Sequence, residues 1–451
     1  MVNLLKTLLA GALLSATFPP LNLWFLAPIS IAIFYKELLS ANFRKRSYIS
    51  ILYGIFFFAP LLHWSSIFVG ALPWLILAFG ESFFFAIFAI FRWRQSLQHY
   101  FRFAAIWVLI EFAREKFPFG GFGWGRIGFA QIDSPLSFYL PLIGVTGLGF
   151  LTVLFTLLFT DNRMKQKSFY VFITIVLLGF AIEVKIDQRI GNETDGTLQA
   201  TLIQGGVPEA NLNFNSVPMA VFNKHYLTTE KFLINSEPKS KPTDLIIWPE
   251  NASDLDPFKN PEIDRKIQLL RKQSSADLLI GAVLDNSAGP QNAAILYRSN
   301  GSISRYVKRD LAPFGEYIPL RNLAEKISPL AKNVTNFLPG EEKPQLVSKT
   351  AIFTPLICFE LLDDQTTTEN AAGNNLLISM TNNATFGRSA EAAQQFLIAR
   401  VRAYELRKAT AVVSTTGFTG FLNNKGGVVS KANQFTSTSL SSQMNLNNYD
   451  T

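Results

Sequence analysis

A chain of 451 residues with 49% hydrophobic and only 16% charged residues is too apolar for an ordinary soluble protein, and 41 phenylalanines account for much of the excess. A net charge of +8 raises nucleic acid as a partner, but the basic residues of the first half fall in short loops between apolar runs, which points to membrane topology instead. One cysteine and three histidines exclude an intramolecular disulfide and leave no credible metal constellation.

Nearly all the long apolar runs lie in residues 1–184. They read as seven membrane spans, about 4–18, 21–39, 48–66, 72–91, 101–117, 136–160 and 168–184. A crossing helix needs roughly 20 residues, so several are at the short end. The first has the length of a signal peptide, but Pro19-Pro20 leads at once into the next span and no small-residue cleavage site precedes it. Basic loops alternate with neutral ones. Arg44, Lys45 and Arg46 follow the second span; Arg92, Arg94 and Arg102 follow the fourth; Arg163, Lys165 and Lys167 follow the sixth. The loops at 19–20 and 67–71 are uncharged, and Arg126 balances Asp133 after the fifth span. The first residue is then cytoplasmic and the segment after the seventh span lies outside the cytoplasm. The stretch FPFGGFGWGRIGF, 117–129, lacks the Gly-Lys-Ser/Thr of a phosphate loop. It reads as a turn with close helix packing, or as an outer-face surface where lipid arrives. His63 and Trp64 belong to an aromatic belt, and Glu81 and Glu111 are ionisable residues inside spans.

From Thr197 the periodicity changes. LQATLIQG, TDLIIWPE, ADLLIGAVLD, NAAILYRS, KTAIFTPLICFE, NNLLISMTNN and ATAVVSTTG read as strands, several apolar on both faces. PMAVFNKHYLTTEKFLINS, PEIDRKIQLLRKQ and AEAAQQFLIARVRAYELRK read as helices between them. Alternation of this kind predicts an α/β layered fold with a buried sheet, in which ligands gather at strand ends.

Three strand ends or loops carry chemical groups: Glu250, Lys308 and Cys358. Taken singly, Glu250 reads as a helix-start charge, Lys308 as a solvated loop residue and Cys358 as a small buried hydrophobe. Together they are what thiol acyl chemistry needs. A carboxylate takes the thiol proton, the thiolate attacks an acyl carbon, and an ammonium stabilises the oxyanion.

WPE at 248–250, YVKRDLAPFGEYIP at 306–319 and CFE at 358–360, in that order, resemble the carbon–nitrogen hydrolase (nitrilase) superfamily. The preceding spans, IGVTGLGF at 143–150 and IQGGVP at 203–208 narrow the resemblance to the apolipoprotein N-acyltransferase family, from the first span to about Phe435. The resemblance implies a multi-span helical domain, residues 1–190, followed by a four-layer α-β-β-α sandwich, residues 195–435; residues 436–451 read from their composition as a polar C-terminal tail. It makes Cys358 the nucleophile, Glu250 the general base and Lys308 the oxyanion group, with Glu316, Glu360 and Phe359 in support. Alternation along an extended segment puts Glu360 on the same side as Cys358. Phe359 stands where the family often has Tyr; Phe214 stands where it has Trp, and Thr385 replaces the Trp before Phe386-Gly387. Phe214 and Phe386 are the expected lipid contacts.

The implied reaction moves an acyl chain from a membrane phospholipid, through a thioester on Cys358, to the α-amine of diacylglyceryl-cysteine in an apolipoprotein. The implied location is the bacterial inner membrane with the catalytic domain outside, and no metal or organic cofactor or nucleic acid is called for. Two alternatives remain at this stage: a membrane-tethered amidase using water as acceptor, and a transport or scaffold protein with an inactive outer domain. The family usually ends in one more membrane helix, and residues up to Thr451 end in a polar sequence instead.

Overall fold

The computed structural model describes residues 4–192, 194–235 and 241–450. It divides into two compact units, Met1–Gln188 and Arg189–Thr451.

The first unit is helical. Its elements are α1 Leu4–Ser15, α2 Leu26–Leu39, α3 Phe43–Leu61, α4 Ala71–Phe83, α5 Leu97–Lys116, α6 Leu140–Thr160 and α7 Lys165–Asn192. A 3-10 stretch, Phe84–Ala89, prolongs α4. Asn42 caps α3, its side chain accepting from Lys45 N at 3.1 Å. Only Gly144, at φ 62°, interrupts the helical backbone of α6, a conformation that side chains with a Cβ resist.

Aromatic rings fill the interior. Phe34 of α2 stacks on Tyr53 of α3 with centroids 4.0 Å apart, and Phe85, Phe88, Phe103 and Trp107 continue the cluster. The outside is apolar as well: Leu72, Phe79 and Phe83 of α4 and Tyr170, Leu177 and Leu178 of α7 are exposed. Water would disfavour such a surface, whereas hydrocarbon accepts it. Three stretches, Ala71–Ala89, Ser137–Thr160 and Lys165–Gly191, are long and apolar enough to cross a membrane. By the same measure α1 and α2 are short, at 12 and 14 residues.

Several ionisable residues inside this unit are hydrogen-bonded or ion-paired. Glu81 binds the Arg114 guanidinium, and Glu115 Oε2 lies 2.7 Å from Arg126 Nη1. Glu111 Oε1 accepts from Trp107 Nε1 at 2.9 Å and from Ile127 N at 2.8 Å. Arg126 Nη2 also donates to Thr146 Oγ1 at 2.7 Å. These bonds tie the glycine- and aromatic-rich segment to α4, α5 and α6. Glu81, Glu111 and Glu115 therefore have a structural use in this unit.

The second unit is α/β. Its strands are β1 Thr194–Gln204, β2 Leu245–Ile247, β3 Asp277–Asn286, β4 Gly289–Tyr297, β5 Ile303–Val307, β6 Leu346–Ser348, β7 Ala351–Phe353, β8 Leu356–Ile357, β9 Leu377–Thr381, β10 Thr410–Ser414, β11 Gly420–Leu422, β12 Val428–Lys431 and β13 Thr438–Asn447. Its helices are α8 Ala220–Asn235, α9 Pro261–Gln273, α10 Arg321–Ile327, α11 Asp364–Ala371 and α12 Glu391–Glu405. The sequence of α9 shows why it starts and stops there. Asn260 accepts from the N–H groups of Glu262 and Ile263, Pro261 opens the first turn, and Arg271 and Lys272 close the last.

One sheet runs β13-β1-β2-β3-β4-β5 and a second runs β12-β11-β10-β9-β8. Period-2 alternation sorts their side chains into layers. Leu198, Ala200 and Leu202 of β1 share one core with Leu296 of β4, Ile378 and Met380 of β9 and Val413 of β10, so the two sheets face each other. On the far face of the first sheet, Ile203, Ile246 and Ile280 pack against Phe222 of α8 and Ile263, Ile267 and Leu270 of α9. On the far face of the second, Leu377 meets Ala371 of α11 and Leu406 just after α12. The result is a four-layer α-β-β-α sandwich.

Two expectations need correction. Residues 438–447 are not a tail but β13, paired antiparallel along β1 from Gln204–Thr438 to Thr194–Asn447. The serines and threonines of this edge strand disguise its inward Leu440, Met444 and Leu446. The stretch KTAIFTPLICFE is likewise not one strand. It breaks at Thr354-Pro355 into β7, which pairs with β6, and β8, which pairs with β9, because proline offers no ladder N–H.

Candidate active site

Cys358 follows the two-residue strand β8, and its backbone takes φ 53°, a left-handed conformation unusual for a residue with a Cβ. A 3-10 turn, Cys358–Leu362, begins at this residue. The turn overturns the alternation argument for Glu360, since the segment is not extended there. Glu360 instead folds back: Oε2 accepts from Ile357 N at 2.8 Å, and Oε1 accepts from Arg309 N at 2.8 Å and from the Tyr306 hydroxyl at 2.6 Å. One buried carboxyl thus fastens the backbone before Cys358 to the backbone after Lys308.

Glu250 lies in the turn beyond β2. That turn closes against β3 only because residue 281 is glycine; a Cβ there would lie 2.1 Å from the Pro249 carbonyl oxygen. Glu250 is buried, and its Oε2 accepts from Asn382 N at 2.8 Å. Lys308 continues β5, its N–H donating to the Asn292 carbonyl of β4 at 2.8 Å. Its side chain is 1% exposed, with Nζ 2.7 Å from Glu316 Oε2 and 3.5 Å from Glu250 Oε1. Asn292 Nδ2 donates to Glu250 Oε1 at 2.7 Å and to Glu316 Oε1 at 2.9 Å. Ala312 N donates to Glu316 Oε2 at 2.8 Å. The two carboxylates, the ammonium and the amide hold one another in a single arrangement.

The charges follow from this packing. Burial works against the Lys308 cation, but Glu316 and Glu250 outweigh it and hold its pKa above the ordinary lysine value. Burial pushes the Glu250 carboxyl up, with Lys308 opposing and Glu316 adding to the rise. The Cys358 thiol is pushed well above its usual range by burial and by Glu250, with Lys308 opposing. A thiol in that position rests protonated and needs a base to become a nucleophile. Burial also raises Glu360 to about 7, against its hydrogen bonds from Tyr306 and Ile357.

Glu250, Lys308, Cys358, Glu316 and Glu360 therefore converge. Phe359 is half-buried on the turn that begins at Cys358, and Phe386 is half-buried in the 3-10 turn Ala384–Phe386, close in sequence to Asn382. Phe214 is half-buried in the loop between β1 and α8, and no described contact brings it to the cluster. Among the described residues, no group of three His, Cys, Asp or Glu side chains is arranged to hold a metal ion. Sequence reasoning passed over Asn292, Tyr306, Asn382 and Gln395, whose Nε2 approaches Cys358 Sγ at 3.6 Å. Asn292 had a readable signal, a polar residue heading the apolar run NAAILY; Gln395 had none, being one of a polar pair in a helix.

Residues 10–158 match the model of the apolipoprotein N-acyltransferase N-terminal domain, and residues 221–450 match that of carbon-nitrogen hydrolase. An apolipoprotein N-acyltransferase from Haemophilus influenzae is 30% identical over 374 residues, 76% of this chain and 69% of the relative. Another from Photobacterium profundum is 26% identical over 461 residues, covering 96% of this chain and 87% of its own. A solved carbon–nitrogen hydrolase superfamily protein from Xanthomonas campestris aligns with 55% of this chain and 91% of its own, with a TM-score of 0.41 and 16% identity. With both halves matched in order, and relatives of the same name aligned along most of its length, this chain belongs to the apolipoprotein N-acyltransferase family.

Proposed function

We propose that the chain transfers an acyl chain from a membrane phospholipid to the N-terminal α-amine of diacylglyceryl-cysteine in apolipoproteins, through a thioester on Cys358. The observation that carries this reading is the buried Lys308, held between Glu250 and Glu316, in a domain where Glu360 fastens the backbone beside it to the backbone before Cys358. Glu250 takes the thiol proton as Sγ attacks the ester carbonyl carbon. Lys308 stabilises the oxyanion of the tetrahedral intermediate. The C–O bond breaks, Glu250 returns the proton to the leaving alkoxide, and lysophospholipid departs. The acceptor amine then attacks the thioester, Glu250 takes a proton from it, the C–S bond breaks, and the Cys358 thiolate recovers the proton. Glu316 and Asn292 hold Glu250 and Lys308 in register. No step calls on a group outside the chain.

Purified protein is incubated with phospholipid and a diacylglyceryl peptide, and both lipids and peptides are weighed by mass spectrometry. Lysophospholipid together with an amide-linked acyl peptide is the expected result. Free fatty acid with unmodified peptide would mean that water is the acceptor and that the protein is a hydrolase.

Phe386 and Phe214 are proposed as lipid contacts beside a missing third aromatic at Thr385, which is half-buried. Thr385→Trp is expected to fold normally and to lower the KM for phospholipid about fivefold by adding apolar contact. A misfolded variant would show that the backbone around 385 has no room for the ring.

Both substrates are lipid-anchored, which accounts for the helical half. We assign residues 4–192 seven crossings of the bacterial inner membrane, with the catalytic domain on the outer side, from the alternation of basic loops. A reporter fused after Asp187 is then exported and one fused after Arg94 remains cytoplasmic. Finding both on one side would end the seven-crossing topology.

A further inference from the structure

The scheme above leaves unused a second buried polar cluster that also reaches the sulfur. Asn383, Glu391, Gln395 and Ser414 are each 5% exposed or less. Burying four polar side chains costs free energy unless their bonds are satisfied, and here they are satisfied in one direction only.

A carboxamide has two ends of nearly equal shape, so its neighbours decide which end points where. Gly417 N donates to Ser414 Oγ at 2.9 Å, which leaves the Ser414 hydroxyl hydrogen for Asn383 Oδ1. Thr381 Oγ1 donates to the same oxygen at 3.1 Å. With Oδ1 committed as an acceptor, Asn383 Nδ2 faces the other way. One of its hydrogens goes to Glu391 Oε2 at 2.8 Å and the other to Gln395 Oε1 at 2.7 Å. Gln395 is thereby obliged to accept through Oε1 and to turn Nε2 toward Cys358 Sγ, 3.6 Å away. The backbone of the preceding residue, Asn382, is the donor that holds Glu250. One short segment after β9 therefore orders both the base and the surroundings of the nucleophile.

We propose that Gln395 is a further catalytic residue, donating an N–H to the Cys358 thiolate, and that Asn383, Glu391 and Ser414 are positioning residues that set which end of its amide faces the sulfur. The thiolate arises twice in acyl transfer, once as the attacking group and once as the group expelled by the amine. A donor at Sγ lowers the energy of both states. The reversed amide would set Oε1 against a negative sulfur and raise both. The proposal rests on the reading of Cys358 as the acyl-carrying nucleophile.

Its test needs no lipid. Cys358 is the only cysteine, so the rate of alkylation of the full-length protein by iodoacetamide reports this thiol alone. The charged groups that act on it are Glu250, Lys308, Glu391 and Glu316, and all stay in place in Gln395→Met, which keeps length and removes the donor. Gln395→Met is expected to move the alkylation pH profile upward and to slow the reaction at pH 7 about tenfold, as loss of a hydrogen bond to a charged atom does. Asn383→Leu is expected to do the same, and the double variant to be no slower than Gln395→Met, because both act through one donor. Glu391→Leu and Glu391→Gln both remove the charge that raises the thiol, so they are compared with each other. Glu391→Leu is expected to alkylate more slowly than Glu391→Gln, which retains an acceptor oxygen for Asn383 Nδ2, and equal rates in the two overturn the positioning role of Glu391. An unshifted profile in Gln395→Met overturns the role of Gln395. Additive effects in the double variant overturn the role of Asn383. If Asn383→Leu does not fold, Gln395→Met and the Glu391 pair decide the question alone. Failure of the unmodified protein to acylate a peptide would defeat the acyl-transfer reading and leave these alkylation results standing.

Discussion

Cys358→Ala is expected to abolish acyl transfer. Given phospholipid alone, the unmodified protein should gain one acyl chain and release lysophospholipid in a burst of about one equivalent, as a two-step covalent mechanism requires. The adduct should be labile to hydroxylamine, as a thioester is, and should be discharged by the acceptor peptide. Cys358→Ala should show neither burst nor adduct, with a rate loss on the order of 10⁴-fold or more, typical of removing a nucleophile that acts in concert with its base. The substitution removes one sulfur from a half-buried position and leaves the Glu250–Asn292–Glu316–Lys308 arrangement untouched, so the fold should persist. A variant that still transfers acyl chains would reduce Cys358 to a packed hydrophobe and end the thioester mechanism.

Lys308 should separate charge from geometry. Lys308→Met leaves the buried Glu250 and the partly buried Glu316 without their shared cation, an uncompensated arrangement that costs about 3–5 kcal/mol of stability. Lys308→Arg keeps the charge, and much of that stability should return. Its planar fork cannot stand where a single Nζ lies 2.7 Å from one carboxylate and 3.5 Å from the other, so transfer should still fall about 10²–10³-fold, the loss expected for a displaced oxyanion group. Thermal unfolding and lysophospholipid release, measured side by side, make the distinction. The titration of Lys308 itself should add no pH dependence to stability between pH 5 and 9. The folded pKa of Lys308 is raised above its unfolded value, so its contribution is complete below about 10.5 and is lost only as pH rises through the still higher folded value. Near-normal turnover by Lys308→Arg would show that another group holds the oxyanion.

Much of this was legible in the sequence for a local reason. Apolar runs near membrane length, and period-2 runs between helical ones, are properties of neighbouring residues, and α1–α7 and most of the α/β strands lie where those patterns put them. The order Glu250, Lys308, Cys358 marked strand ends, and strand ends of an α/β sheet are where groups converge. The sequence misled where local composition and tertiary role part company. The serine-rich stretch before Asn447 reads as a tail because its partner, β1, is more than 230 residues away and only pairing reveals its inward face. Proline broke the run that ends at Cys358, and the resulting turn, not strand alternation, brings Glu360 back to Ile357 N.

The bonds made by the supporting polar groups were beyond sequence reading, even where, as for Asn292, the residue itself stood out. Asn292 joins Glu250 and Glu316 across 42 and 24 residues, and Gln395 reaches Cys358 across 37. Nothing in the neighbours of Gln395 sets it apart from other amides, and for both residues a carboxamide acquires its direction from whatever donors and acceptors the fold brings against it. The sequence by itself determined the chemistry available, one thiol with carboxylates and a lysine at strand ends. The tertiary structure decided which oxygen meets which nitrogen, since that depends on strand register and on close approaches such as Gly281 against Pro249, and both are set by packing between distant segments.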